Sequence, residues 1–325
     1  LYKMNVKNKG DKTPIKKEEL IKEIERLKKE KKAVVLAHYY QRPEIQDVAD
    51  HIGDSLALAR YASTLSDVEI IVLCGVHFMG ETAKILSPEK KVLIPDMEAG
   101  CSLADSCEAE DFKKFLERYP DHTVISYVNT SVGVKALTDV LVTSGNAVRI
   151  VETFPKDQKI VFGPDRNLGD YINSITGRNM VLWDGACHVH EQFSIEKLIA
   201  LKKENPGAKV LVHPECKKVL RLLADKVGST AALIDYARES EAGEFIVVTE
   251  SGIMHELEKK FPDKRFIAAP PEDAGCSCNE CGYMKLNTLE KLYECLRDES
   301  PEIKVDEKVA AAARRPIERM LELSK

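Results

Sequence analysis

The sequence predicts an α/β protein made of three similar repeats, each built on a small parallel sheet. Short runs rich in Val and Ile alternate with segments of helix length along most of the chain. The runs lack polar alternation, as expected for parallel strands that helices cover on both faces. The pattern of runs also recurs at a nearly constant spacing, which favours internal repetition over one large sheet.

The segment before the first repeat predicts an amphipathic helix. Between residues 15 and 31 the apolar side chains form one stripe, and Lys and Glu fill most other positions: Ile15, Leu20, Ile21, Ile24 and Leu27. We therefore expect residues 1–32 to contribute a helix that packs on the body of the protein.

Ten apolar runs are predicted strands. They cover residues 33–37, 70–74, 92–94, 123–127, 140–142, 160–162, 180–183, 210–212, 245–248 and 265–268. Each is short and bounded by polar or turn-forming residues, as strands usually are. The helix-length segments between them complete βαβ units.

Two shifts of the numbering superimpose the repeats. A shift of 89 residues aligns the run 71–73 with 160–162, and a further shift of 86 aligns it with 246–248. The same shifts relate His38, Tyr127 and His213, and no gap is needed over about residues 34–96. We interpret this as three domains at residues 33–110, 111–192 and 193–283. Residues 284–325 are predicted to be helical and to pack back, with residues 310–313 and Leu321 on the buried face.

A cysteine follows the last predicted strand of each repeat. Cys101 and Cys187 are 86 residues apart, and the third repeat ends in the segment CSCNEC at residues 276–281. If the repeats pack around a pseudo-threefold axis, one thiolate from each forms a three-point ligand set. Soft thiolates select iron–sulfur clusters, zinc or Cu(I), and three ligands to a cluster would leave one metal position open. The alternative is a local zinc loop or a redox-active pair within residues 276–281.

Small hydroxyl residues precede a predicted helix in each repeat, namely Ser55, Ser144 and Thr230. Taken singly, each would be read as an ordinary helix N-cap. Three at equivalent positions indicate anion binding, because a helix N-terminus offers free N–H groups and a favourable dipole. Three such ends facing one cavity could hold three anionic groups.

Polar side chains follow the first strand of each repeat: His38 and Tyr40, Tyr127 and Asn129, and His213 and Glu215. His, Tyr and Glu are suitable acid–base groups, whereas an Asn amide can orient a carbonyl or carboxylate. Each histidine taken alone could equally have a structural role.

Glu215 is the predicted general base, because it is the acidic residue among these strand ends. A cavity closed to water would raise its pKa toward neutrality and suit it to proton transfer. The alternative is an ion pair with Lys217 or Lys218.

Composition excludes several classes of protein. The formal net charge is −5 with 48 basic and 53 acidic residues, so no strong basic patch for nucleic acid is indicated. No apolar run approaches the ~20 residues of a membrane span. Nine cysteines without a secretory signal argue for reduced thiols, and hence for a cytoplasmic protein.

Several of these motifs together resemble the quinolinate synthases of NAD biosynthesis. The matching segments are LAHYYQ at residues 36–41, GDS at 53–55, YVNTS at 127–131, VTS at 142–144, HPEC at 213–216, GST at 228–230, and Cys281 followed by Tyr283 and Met284. The resemblance implies three αβα domains in a triangle around a 4Fe–4S cluster and active site. It also implies condensation of iminoaspartate with dihydroxyacetone phosphate to give quinolinate, phosphate and two waters.

The resemblance assigns roles to individual positions. Cys101, Cys187 and Cys281 match the three cluster ligands, which would make Cys276 and Cys278 non-ligands. Tyr40 matches a catalytic tyrosine, and the remaining matches are substrate-binding or catalytic positions: His38, Ser55, Tyr127, Asn129, Ser144, His213, Glu215 and Thr230. His77 departs from the family pattern, where an acidic residue is expected. An aspartate oxidase or dehydrogenase is the kind of partner that would supply the imine.

Two other functions use part of the same pattern. An aconitase-like hydro-lyase also has an open iron and a substrate with three carboxylates, but it needs no phosphate site. An iron–sulfur sensor would leave the three polar strand ends without a purpose. Activity with dihydroxyacetone phosphate separates the synthase from both.

Overall fold

The computed structural model describes residues 16–273 and 279–325 and contains three parallel sheets of four strands. The first sheet consists of β1 (Ala33–His38), β2 (His51–Gly53), β3 (Ile70–Cys74) and β4 (Lys91–Leu93). The second consists of β5 (Thr123–Tyr127), β6 (Val140–Val142), β7 (Ile160–Gly163) and β8 (Val181–Leu182). The third consists of β9 (Lys209–Val212), β10 (Lys226–Val227), β11 (Glu244–Val248) and β12 (Arg265–Ala268).

The three sheets share one topology, which confirms the predicted fold class. In each, the first strand of the repeat is flanked by the second and the third, and the fourth lies outside the third. In the first sheet Leu36 of β1 pairs with Leu73 of β3, and in the third Leu211 of β9 pairs with Val247 of β11. All strand pairs within these sheets are parallel.

Helices connect the strands and the sheets. Those of the first sheet are α2 (Pro43–Val48), α3 (Ser55–Thr64) and α4 (His77–Leu86), followed by α5 (Ser102–Asp105) and α6 (Ala109–Leu116). Those of the second are α7 (Val132–Ala136), α8 (Ala147–Glu152) and α9 (Arg166–Thr176), followed by α10 (His188–Glu191) and α11 (Ile195–Glu204). Those of the third are α12 (Lys218–Arg221), α13 (Thr230–Glu239) and α14 (Ile253–Lys260).

The apolar strands are buried on both faces, as the lack of polar alternation predicted. In the first sheet Val34 and Leu36 belong to one apolar cluster, whereas Val35 and Ala37 belong to another on the opposite face. Val210 and Leu211, which are neighbours on β9, likewise belong to two different apolar clusters. Helices therefore cover both faces of these sheets, which gives three αβα layers.

Two strands were missed by the sequence prediction. β2 and β10 are only three and two residues long, lie at sheet edges, and contain polar or half-buried residues. The repeat shifts could have located them: β6 begins at residue 140, and the shifts of 89 and 86 lead to residues 51 and 226, where β2 and β10 begin.

The terminal segments pack against the body. The predicted N-terminal helix is α1 (Lys17–Glu30), which buries Leu20, Ile24 and Leu27 against β1 and α15 (Leu289–Asp298). A 3₁₀ turn (Met284–Leu286) precedes α15, and the chain continues to α16 (Glu307–Leu323).

The buried face of α16 confirms the prediction in part. Its fully buried residues are Ala313, Pro316, Ile317 and Met320, and Ala310 and Leu321 are partly buried against the same cluster. Ala311 and Ala312 are exposed, because the helix packs on α7 and β6 with one stripe only. In the two ranges that the structure covers, no helix combines the length and apolarity needed to cross a membrane.

Candidate active site

The carboxyl ends of strands from all three sheets converge on one cavity. Parallel strands end at the same edge of a sheet, where open α/β folds bind their ligands. β1 ends at His38 and β5 at Tyr127, while His213 directly follows β9. The twelve residues predicted to form the site all line this cavity: His38, Tyr40, Ser55, Cys101, Tyr127, Asn129, Ser144, Cys187, His213, Glu215, Thr230 and Cys281.

Glu215 lies at the centre of a buried polar network. Its side chain is only 4% exposed. The Tyr127 hydroxyl donates a 2.7 Å hydrogen bond to Oε1, and Nδ1 of His190 lies 3.2 Å from Oε2. Nδ1 of His213 lies 3.7 Å from Oε1. Within the described residues the basic side chains beside Glu215 are thus these two histidines, and not Lys217 or Lys218.

A row of close polar contacts leads from Glu215 to Tyr40. Nε2 of His190 lies 2.9 Å from the hydroxyl of Thr249, which is 2.8 Å from the hydroxyl of Tyr40. In the contact between His190 and Thr249 the tautomer of His190 decides which atom donates, and between Thr249 and Tyr40 either hydroxyl can donate. Nδ1 of His190 makes no hydrogen bond within the described residues, although it lies 3.2 Å from the carboxylate, so the link to Glu215 is a close contact.

Burial sets the protonation states of these groups. It raises the pKa of Tyr40 and of Tyr127 well above the ordinary tyrosine value, so both phenols are proton donors. It lowers the pKa of His38 and of His213 to about 3, so both imidazoles are neutral at physiological pH.

The expected rise in the pKa of Glu215 is wrong. Burial acts in the upward direction, but the electrostatic effect of His190, 3.2 Å away, and the hydrogen bond from Tyr127 outweigh it and lower the pKa. The carboxylate is therefore ionised and able to accept a proton without first losing one.

The three hydroxyl residues differ in their relation to the helices. Ser55 and Thr230 are the first residues of α3 and α13, and their predecessors Asp54 and Ser229 are the N-caps. The side chains of these caps accept hydrogen bonds from N–H groups of their helices, so Ser55 and Thr230 are not needed as caps. The hydroxyl of Thr230 instead lies 3.2 Å from that of Tyr40. The prediction of a helix start is wrong for Ser144, which lies in the turn before α8.

Asn129 presents an unsatisfied acceptor. Its buried Oδ1 has no hydrogen-bond partner among the described residues, although the side chain lines the cavity. Buried polar atoms are almost always paired, so this atom marks a place where a ligand donor is expected.

The three predicted ligand cysteines are free, partly buried and lie in the same cavity. Burial raises the pKa of Cys101 to about 12 and that of Cys281 to about 11, and it raises the pKa of Cys187 as well. Cys281 also acts to raise the pKa of Cys101, and both act to raise that of Cys187. Three soft donors on loops of three repeats suit a thiolate-bound cluster.

Cys187 also belongs to a tighter group. Its sulfur and the ligand atoms of His190 and Glu215 all lie within 4.8 Å of one another, a spacing that could hold a metal ion. Cys276 and Cys278 lie outside the described residues. The remaining cysteines are buried, in keeping with packing roles: Cys74, Cys107, Cys216 and Cys295.

Sequence reasoning missed His190 and Thr249 as functional candidates. His190 lies three residues after Cys187, and Thr249 directly follows the apolar strand β11. The position of Thr249 was a usable signal, because a polar residue at the end of a buried parallel strand faces the ligand-binding edge. Its hydrogen bond with His190 could not be predicted, because the two residues belong to segments that are distant in the sequence and meet only in the fold.

Comparison with known proteins identifies the family. A family model described as "Quinolinate synthetase A protein" matches residues 22–322. A relative from Chloroherpeton thalassium, named quinolinate synthase, is 59% identical over 94% of this chain and 95% of its own length. A second from Thermosynechococcus vestitus, with the same name, is 55% identical over 94% of this chain and 96% of its own. The chain therefore belongs to the quinolinate synthetase A family of enzymes.

Proposed function

We propose that this protein is a quinolinate synthase that condenses iminoaspartate with dihydroxyacetone phosphate, releasing phosphate and two waters. The observation that carries the proposal is the cavity itself. It is lined by thiols of three repeats and by a row of polar side chains in contact, which consists of Tyr40, Thr249, His190 and Glu215. Supply of the imine by an aspartate oxidase or dehydrogenase, and a cytoplasmic location, belong to the same proposal.

Cys101, Cys187 and Cys281 would hold a 4Fe–4S cluster. When bound, such a cluster supplies an open iron that acts as a Lewis acid. The thiols must lose their protons on binding, and burial makes that loss costly in the absence of metal. Their position on loops beside three sheets supports ligation from three sides.

The substrates carry three anionic groups, one phosphate and two carboxylates. The hydroxyls of Ser55, Ser144 and Thr230 line the cavity and offer donors to them. Thr230 and Ser55 add the N-terminal ends of α13 and α3, each ten residues long. The neutral imidazoles of His38 and His213 and the amide of Asn129 provide further hydrogen bonds at the carbon skeleton.

Formation of the pyridine ring needs repeated proton transfers, and the polar network supplies carriers for them. Glu215 is ionised and can remove a proton from a substrate carbon or nitrogen. Once Tyr40 or Tyr127 has given its own proton to the substrate, the proton held by Glu215 can replace it, by way of His190 and Thr249 in the case of Tyr40 or across the direct hydrogen bond in the case of Tyr127. Both phenols stay protonated until they donate, because burial disfavours their anions.

The test is an anaerobic preparation that is assayed for iron, acid-labile sulfide and visible absorbance. We expect four irons and four sulfides per chain, and consumption of dihydroxyacetone phosphate only when the imine is present. A full cluster with turnover of a tricarboxylate and no use of dihydroxyacetone phosphate would instead indicate the aconitase-like hydro-lyase.

A further inference from the structure

A buried ion pair beside Cys281 is not used by the chemistry proposed above. Glu250 follows Thr249 at the end of β11, and its side chain is 1% exposed. Nζ of Lys285 lies 2.8 Å from its Oε1, and the Lys285 side chain is itself 13% exposed. Glu250 also lines the cavity, so this pair lies at the boundary between the site and the chain that encloses it.

The carboxylate of Glu250 holds the backbone at the cysteine. Oε1 accepts a 2.9 Å hydrogen bond from the N–H of Cys281, and Oε2 accepts a 2.7 Å bond from the N–H of Gly252. The adjacent N–H of Ser251 donates to the carbonyl of Asn279 across 2.9 Å. The segment that carries Cys281 is thus attached to the loop after β11 at two points.

Lys285 and Gly252 link the same junction to the loop after β1. Lys285 Nζ donates to the carbonyl of Tyr40 across 2.6 Å, and Nε of Arg42 donates to the carbonyl of Lys285 across 2.8 Å. Gly252 makes a close approach, because a Cβ there would lie 2.7 Å from Cα of Tyr40. The loop after β1, the loop after β11 and the segment from Cys281 to Lys285 are therefore held together around Glu250.

Stability alone is a weak reason for such a pair. A buried ion pair contributes little net stability compared with apolar packing, because both charges lose their hydration. Its usual benefit is to fix one arrangement of the groups around it. At a metal site, polar groups behind the ligands orient them, and their loss typically costs about 10–100-fold in metal affinity or activity.

We propose that Glu250 is a positioning residue that fixes Cys281 for cluster binding, and that Lys285 holds the carboxylate in place. This inference rests on the proposed function, since it requires Cys281 to be a ligand. Glu250 does not itself bind metal in this account. It acts through the N–H of Cys281 and through the loop that Cys281 shares with Lys285.

The test compares cluster loss from Glu250→Ala, Glu250→Gln and Glu256→Ala proteins, each purified anaerobically with its cluster. Loss of visible absorbance is followed after adding a ferrous-iron chelator. Glu256 is a matched control, because it is a buried carboxylate in the same repeat that pairs with Lys260 across 2.9 Å. Urea unfolding of all proteins shows whether each variant retains the fold.

We expect Glu250→Ala to lose its cluster about 10–100-fold faster than the wild type. Glu250→Gln should fall between them, because a glutamine keeps one acceptor oxygen and replaces the other with a donor. Glu256→Ala should match the wild type. If Glu250→Ala does not fold, Glu250→Gln against Glu256→Gln decides by the same measurement.

Cluster loss from folded Glu250→Ala at the wild-type rate, or equal acceleration in the Glu256 control, would overturn the inference. Failure of the proposed function looks different: the wild-type protein itself would then bind no cluster, and the positioning role would fall with it.

Discussion

The hydroxyl of Tyr127 donates a 2.7 Å hydrogen bond to Oε1 of Glu215, and this bond joins the end of β5 to the loop after β9. The two residues are 88 positions apart in the chain, and each follows or ends the first strand of its repeat. A phenol that burial keeps protonated thus faces a carboxylate that its neighbours keep ionised. Such opposed protonation states are typical of an acid–base pair.

Glu215→Gln should lower kcat by ~10²-fold or more while the cluster and substrate binding persist. The amide keeps the size of the side chain and can still accept from Tyr127, but it cannot take a proton. Steady-state kinetics of anaerobic enzyme with matched iron content provides the measurement. Glu256→Gln is the control, and near-normal turnover in Glu215→Gln would move the base to another residue, with His38 or His213 next in line.

Thr249→Val should lower kcat with little change in KM. Valine has the same shape but removes the hydroxyl that connects Tyr40 to His190. Loss of a buried hydrogen-bond partner costs about 1–3 kcal/mol, or roughly tenfold or more in rate if the path is used in the transition state. Thr176→Val is a fair comparison, because Thr176 is buried and its hydroxyl donates to the carbonyl of Ile172 in its own helix. Equal effects of the two substitutions would remove Thr249 from the proton path.

Thr230→Ala and Ser144→Ala should each raise the KM of one substrate more than that of the other. A hydrogen bond to a charged group contributes about 1.5–3 kcal/mol, so the rise should be roughly tenfold or more. Thr288→Ala separates binding from helix stability, since Thr288 caps α15 away from the cavity and should cost about 1 kcal/mol of stability without changing KM. Unchanged KM values for both substrates would exclude the substituted hydroxyl from anion binding.

Serine at Cys101, Cys187 or Cys281 should abolish the visible absorbance of the cluster, because a hydroxyl is a poor substitute for a soft thiolate. Cys107→Ser is the matched substitution, since this buried cysteine lies outside the cavity. Serine at Cys276 or Cys278 should leave much of the absorbance. A cluster that survives in Cys281→Ser but not in Cys278→Ser would show that the third ligand was assigned to the wrong cysteine.

The fold was predictable because repetition multiplies weak signals. A single run such as 160–162 is ambiguous, but its counterparts at 71–73 and 246–248 make a strand assignment secure. The same repeat spacing predicted that Cys101 and Cys187 lie at equivalent positions facing one site. The edge strands β2 and β10 escaped because short, half-buried strands have little apolar signature.

The sequence predicted which residues form the site better than it predicted their pKa values and local conformation. The pKa of Glu215 was expected to rise on burial, and the sequence offered no way to see that His190 would lie 3.2 Å away. The helix start at Ser144 was misplaced for a similar reason: the true cap, Asn146, bonds back to the N–H of Thr143. Both errors concern contacts between neighbouring polar side chains, and the sequence does not show which of several polar residues makes such a contact.

The most direct test of the account is product formation by the cluster-loaded protein under anaerobic conditions. Dihydroxyacetone phosphate labelled with carbon-13 and freshly generated iminoaspartate are the substrates, and quinolinate and phosphate are quantified. We expect labelled quinolinate and phosphate in equal amounts, with neither formed by the Cys187→Ser protein. A wild-type protein with a full cluster that forms no labelled quinolinate would contradict it.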